Sequence, residues 1–210
     1  ERLTTDIYPS DFGWTPDWSK GDKQLPPSGM SMRSVVEAGL CERSLQIDYD
    51  EEVGFQAVQK IYDYARDPEN KPFFLAASFT HPHNPFTTTP EFWNLYKHDE
   101  IDMPKYSGKP VEERDPWSQR YHYLIRQDEH ELTDEHVRNA RHAYYGMTSY
   151  IDHHVGRLLS ALEATGLSDN TVVVFTADHG DMMGERGMWY KFNPFEWSVR
   201  VPLIVRAPGN

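Results

Sequence analysis

The stretch from Thr171 to Lys191, TVVVFTADHGDMMGERGMWYK, constrains this chain more than any other. Residues Thr171 to Thr176 are β-branched or aromatic and read as a strand buried on both faces, ending abruptly at Asp178, His179, Gly180 and Asp181. In open α/β sheets ligands sit at the carboxyl ends of strands, so catalytic groups belong at such a place. The carboxylate of Asp178 beside the imidazole of His179 can hold a divalent cation, and Gly180 lets the backbone turn without a Cβ clash. The plain alternative is a strand followed by a solvated polar turn, and four residues alone do not separate the two.

The rest of the chain supplies elements to pack against that strand. Asp50 to Asp67 has Val53, Ala57, Ile61, Tyr64 and Ala65 at helical spacing and is ended by Pro68. Pro72 to Phe79 predicts a buried strand, with His81 and His83 directly after it. Thr87 to Asp134, dense in Pro, Tyr, Trp, Asp and His, reads as an extended excursion with a short helical hint at Pro90 to Tyr96. Thr133 to Ala164 is the strongest helix: Thr133 or Asp134 can cap it, and Thr148, Ile151, Val155, Leu158, Leu159 and Leu162 form one apolar face. Gly166 is placed to end it, and Asp169-Asn170 turns the chain into the next strand, giving half of a βαβ unit. Residues 1 to 30 are rich in Trp, Pro, Asp and Gly without periodicity and read as an irregular segment of the kind that shapes pockets.

Composition excludes several classes. With 33 acidic against 21 basic residues the net charge is −12, and no Lys or Arg adjoins another, so nucleic acid is not an expected partner. The negative charge suits ordinary solubility first and a cationic substrate second. A single cysteine, Cys41, rules out an internal disulfide or a cysteine-based zinc cluster in this sequence and is compatible with a cytoplasmic protein. No apolar run is long enough to cross a bilayer, so no membrane partner is expected. The first residues show neither an initiator Met nor a signal pattern, and we read the 210 residues as the middle of a longer polypeptide.

Further candidates come from residue type and spacing. His81 and His83 alternate around Pro82, so in an extended backbone both rings face one side and could meet one anion; the alternative is a histidine bonded to backbone in a Pro-rich turn. Trp14, with Tyr8, Phe12 and Trp18 nearby, offers an aromatic face for a quaternary ammonium or simply packs. Lys191 beside Trp189 and Tyr190 points to a partly buried ammonium rather than a solvated one. His142, His153 and His154 read as surface or structural groups, and Glu185 with Arg186 as a pair that stabilises a turn.

The order Asp178-His179, Gly184-Glu185-Arg186-Gly187, Lys191 and Val201-Pro202-Leu203, together with SFTHPHNPF at 78 to 86 and AYYGMTSYIDHHVGRLLSAL at 143 to 162, resembles the sulfatase branch of the alkaline-phosphatase-like superfamily. Within it, the choline sulfatases share the opening ERLTTDIYP, the Trp-Thr-Pro-Asp stretch and the Gly-Glu-Arg-Gly-x-Trp-Tyr-Lys motif. The resemblance implies an α/β fold with a largely parallel central sheet flanked by helices, residues 1–210 being part of a single catalytic domain without its nucleophile segment or its C-terminal part. It implies hydrolysis of a small-molecule sulfate monoester, choline O-sulfate first, with a phosphonate or phosphate ester hydrolase or a non-catalytic relative as alternatives. It further implies a homo-oligomer that is cytoplasmic or, alternatively, periplasmic.

The family pattern also implies roles. Asp178 and His179 would be metal ligands, for calcium first and manganese or magnesium otherwise. Lys191, thirteen residues after Asp178, would contact the sulfate and its ester oxygen. His83 would act as general acid or sulfate contact with His81 in support, and Trp14 would bind the substrate cation. Sulfatases use a formylglycine made in a Cys/Ser-x-Pro-x-Arg motif. Cys41-Glu42-Arg43-Ser44-Leu45 departs from it, so Cys41 is not the nucleophile and the formylglycine is expected upstream.

Overall fold

The computed structural model describes residues 32–69 and 71–209. Trp14 and its aromatic neighbours lie outside them.

Helix α5, Asp134–Ala164, is the spine. The Thr133 hydroxyl accepts from the His136 N–H and the His136 ring accepts from the Thr133 N–H, so both ends of a capping box are satisfied. Gly166, at φ +72°, follows its C-terminus, as expected. The buried face differs in part from the expected stripe. Ala140, Ala143, Met147, Tyr150, Ile151, His154, Ala161 and Leu162 are buried, whereas Thr148 is exposed and turns its hydroxyl back to the Tyr144 carbonyl.

Helices α1, Arg33–Val36, and α2, Leu45–Arg66, pack on α5. Helix α2 begins five residues before its expected start, because the Ser44 hydroxyl accepts from the Ile47 N–H and caps it there. Ile47 meets Tyr150 and Ile151, and Ile61 meets Ala161 and Leu162, so two apolar contacts bind the helices along their length. Between them His154 is fully buried, its Nε2 3.4 Å from Glu51 Oε1, and burial holds its pKa below the usual imidazole value. His142 is likewise buried, stacked on Trp93, whereas His153 is exposed.

Strands β1, Gly39–Leu40, and β2, Thr87–Thr88, pair in parallel, while β3, Val173–Thr176, and β4, Leu203–Arg206, pair antiparallel with Thr176 opposite Leu203. β3 was expected to be buried on both faces. Its residues instead alternate, Val173 and Phe175 half-buried, Val174 exposed. The run 72–79 also alternates, with Phe74 92% exposed, and it is extended without joining a sheet. A strand needs a ladder partner, and none lies beside this run among the described residues.

The excursion at 87–134 holds two helices, α3, Pro90–Trp93, and α4, Pro116–Leu124. The second was not expected from the sequence, although Asp115 caps it through the Ser118 N–H and Pro116 takes its first position. Together with α5, α4 encloses the main core, in which Phe86, Tyr121, Ile125, Ala143, Met147, Met182, Trp189 and Tyr190 are buried. No helix among the described residues is long and apolar enough to cross a membrane.

Candidate active site

The core places the segment after β3. Met182, Met188, Trp189 and Tyr190 are buried in it, and the Tyr121 hydroxyl donates to the Trp189 carbonyl at 3.0 Å. Lys191 therefore emerges directly from packed structure, half-buried as its neighbours predicted. It is flanked by Tyr190 (φ +63°) and Phe192 (φ +67°), both in the left-handed region that side chains other than glycine adopt at a cost of order 1 kcal/mol each. Such strain persists only where the surroundings impose it, and it brackets the residue whose ammonium is being aimed.

Helix α6, Glu196–Val199, comes back against the turn. The Gly180 N–H donates to the Ser198 carbonyl at 2.8 Å, and a Cβ on Gly180 would stand 2.0 Å from the Trp197 carbonyl oxygen. Glycine is needed here for that close approach.

Three side chains from distant parts of the sequence then meet. Lys191 Nζ lies 2.7 Å from His179 Nε2 and 3.2 Å from His83 Nε2. Each imidazole has its other nitrogen on a carbonyl, His179 Nδ1 on Gly180 O and His83 Nδ1 on Asn84 O, both at 2.8 Å. A carbonyl only accepts, so both Nδ1 atoms carry protons and both neutral rings offer their Nε2 lone pairs to the ammonium. His83 is thus bonded to backbone in a Pro-rich turn, the plainer of the two alternatives posed for it, and its Nε2 also meets Lys191.

His81 is placed otherwise. The chain leaves its extended course at Thr80, whose carbonyl accepts from the His83 N–H at 2.9 Å, so the premise that both rings share one face does not hold. The His81 ring is buried against Tyr150, with Nδ1 2.6 Å from Asp50 Oδ2. Glu185 and Arg186 do not pair either: buried Glu185 accepts from the Lys105 and Tyr106 N–H groups, and Arg186 lies 4.2 Å over the Phe195 ring. Cys41 is half-buried, a free thiol whose backbone N–H pairs with Thr88.

Asp178 is at the surface, its side chain 88% exposed, with Oδ2 3.7 Å from His179 Nε2. A hard oxygen and an imidazole nitrogen side by side fit a divalent cation as part of its shell. They are two donors where such a cation takes six or more, and no cluster of three metal-ligating side chains occurs among the described residues. The Nε2 that would face the cation now takes the Lys191 ammonium, so the two compete for it. Sequence reasoning gave Asp181 no role of its own. It is half-buried, its Oδ1 accepts from the Met183 and Tyr190 N–H groups at 2.9 and 3.1 Å, and desolvation pushes its carboxyl up to about 6. By tying residue 181 to 190 it closes the loop that carries Lys191.

The family profile described as Sulfatase matches residues 14–210. This chain belongs to the sulfatase family. It is similar to the choline-sulfatase of Rhizobium meliloti (strain 1021), 45% identical over 212 residues covering all of this chain and 41% of that protein. It is also similar to an arylsulfatase of Clostridium perfringens, 36% identical over 69% of this chain and 29% of the relative. The sulfatase chain thus spans less than half the length of these curated relatives. Among solved structures, the phosphonate monoester hydrolase of Agrobacterium radiobacter superposes with a TM-score of 0.65 at 26% identity, over 94% of this chain and 37% of that one. The fold is α/β, alkaline-phosphatase-like. Sulfatases generally use a metal ion and a formylglycine, and a family member is expected to draw on both.

Proposed function

We propose that the whole protein, of which residues 1–210 form part of one catalytic domain, hydrolyses a sulfate monoester, with choline O-sulfate as the preferred substrate and choline and sulfate as products. The observation that carries this reading is the convergence of Lys191, His83 and His179 at the end of β3. An ammonium braced by two imidazoles is a ready donor to a tetrahedral oxyanion, and its charge counts most where negative charge builds in the transition state. The substrate preference rests on the likeness to choline-sulfatase.

Lys191 would hold a sulfuryl oxygen and offset charge on the leaving oxygen. His83 would assist departure of the alcohol as a relay: its unprotonated Nε2 takes a proton from the Lys191 ammonium 3.2 Å away and passes it to the leaving oxygen, leaving Lys191 neutral. Asp178 and His179 would supply two of the ligands of a divalent cation, calcium first and manganese or magnesium otherwise. When bound, that cation supplies positive charge to the sulfuryl oxygens, while a formylglycine elsewhere in the full polypeptide supplies the nucleophile. Trp14 remains the candidate for the trimethylammonium group. The partner is then a small sulfate ester and not nucleic acid.

The likeness to a phosphonate monoester hydrolase favours a second reading, hydrolysis of phosphonate esters at the same site. Relative kcat/KM of the full-length protein on choline O-sulfate, an aryl sulfate and a phosphonate monoester tests both. The first reading predicts choline O-sulfate at the head of the series; a phosphonate ester at the head replaces it with the second.

A further inference from the structure

Helix α2 buries two polar side chains one turn apart, Gln46 and Asp50, on the face turned to residues 80–83. Asp50 is fully buried. Its Oδ1 accepts from the Thr80 N–H at 2.7 Å and from the Thr80 hydroxyl at 3.1 Å. Its Oδ2 accepts from the His81 N–H at 2.9 Å and from His81 Nδ1 at 2.6 Å. Four donors use the carboxylate to capacity. One turn earlier, Gln46 Nε2 donates to the His83 carbonyl at 2.8 Å.

These contacts span 30 to 37 residues of sequence and all end on one short turn. Burying a carboxylate is costly unless it is fully paired, and an apolar side chain would fill the same space between helix and loop without that cost. What an apolar residue could not supply is direction, because two oxygens with four donors define the position of Thr80 and His81 in every axis. The turn then closes through the His83 N–H on Thr80, and His83 leaves it with Nδ1 on Asn84 O and Nε2 facing Lys191. His81 thereby joins the carboxylate to the turn.

We propose that Asp50, assisted by Gln46, is a positioning residue that sets His83 against Lys191. This rests on the reading of His83 as a group that meets the substrate, and it extends the active centre to a helix carrying none of the family motifs noted above.

The test is a double-mutant cycle in the full-length enzyme with choline O-sulfate, using Asp50→Asn, His83→Ala and the combination. Asp50→Asn keeps the shape but replaces one acceptor oxygen by a donor. It should lower kcat/KM by about 10- to 100-fold, mainly in kcat. In the His83→Ala background it should cost less than about 2-fold further, since a residue acting through His83 has nothing left to act on. Multiplicative losses, or Asp50→Asn at wild-type turnover, would overturn the proposal.

If His83→Ala alone keeps wild-type turnover, the functional reading of His83 fails. The positioning role is then decided by hydrogen exchange of the 80–84 amides. Asp50→Asn should speed it at least about tenfold while the α5 amides are unchanged; equal protection overturns the role as well. Should Asp50→Asn fail to fold, Gln46→Met, which removes only the bond to the His83 carbonyl, takes its place in the same measurements. The expected loss is then about 3- to 10-fold, and wild-type behaviour would again overturn the proposal.

Discussion

Gly180→Ala should be far more damaging than its one added methyl suggests. The new Cβ would lie 2.0 Å from the Trp197 carbonyl oxygen, and real Cβ atoms essentially never come within 3.0 Å of such a neighbour. The obstacle is backbone, held by the Gly180 N–H bond to Ser198 and by the Thr176 hydroxyl on the Pro202 carbonyl, so no side chain can swing away. Residue 180 or helix α6 must move by at least about 1 Å, a displacement that next to reacting groups costs about 100-fold in rate. Overpacking of this kind also destabilises by about 1–3 kcal/mol. His179 is the adjoining residue and takes the shift directly, loosening its 2.7 Å contact with Lys191. Steady-state kinetics on choline O-sulfate, with urea denaturation of the same preparation, measures both. A variant within about 3-fold of wild-type kcat/KM would refute the claim that this contact holds the site in register.

Other perturbations test separate parts of the account. Lys191→Met should lower kcat/KM by about 100- to 1,000-fold with little loss of stability, because it removes a donor aimed at developing charge; a purely thermodynamic effect in denaturation curves would contradict this. Cys41→Ala should leave turnover unchanged, and loss of activity in thiol-independent assays would reopen its exclusion as nucleophile. Gly54→Ala gains up to about 1 kcal/mol of helix propensity, but its Cβ would lie 2.4 Å from Nδ1 of fully buried His154, so a net loss of about 1–2 kcal/mol is expected in urea titrations. Burial lowers the pKa of His142 in the folded state, so stability from its neutral form is present above pH 6.5 and drains away as pH falls through the folded pKa. His142→Phe, which keeps a ring on Trp93, should flatten that acid limb by up to about 1.4 kcal/mol per pH unit in pH-dependent unfolding.

How much of this was legible in the sequence depended on whether a signal was local. The cap at Thr133, the end at Gly166 and the half-burial of Lys191 beside Trp189 and Tyr190 all follow from neighbouring residues and were readable. The Asp115-Pro116 signal for α4 was equally local but lay hidden in a segment whose Pro and Tyr content suggested an irregular path. His81 and His83 could not be told apart from spacing, because what separates them is Asp50, thirty-one residues away. His154 reads from the sequence as either a surface or a structural group, since nothing nearby in sequence announces that α2 closes over it at Gly54. The run at 72–79 has the pattern of a strand, and pattern alone cannot supply a ladder partner.

The most direct test of the central claim is turnover of choline O-sulfate by the full-length protein, produced together with a formylglycine-generating enzyme, beside Asp178→Ala and Lys191→Ala variants. The account predicts strong activity in the wild type and its loss in both variants with their folds intact. Turnover that survives Lys191→Ala, or no sulfate-ester hydrolysis by any form, would contradict it.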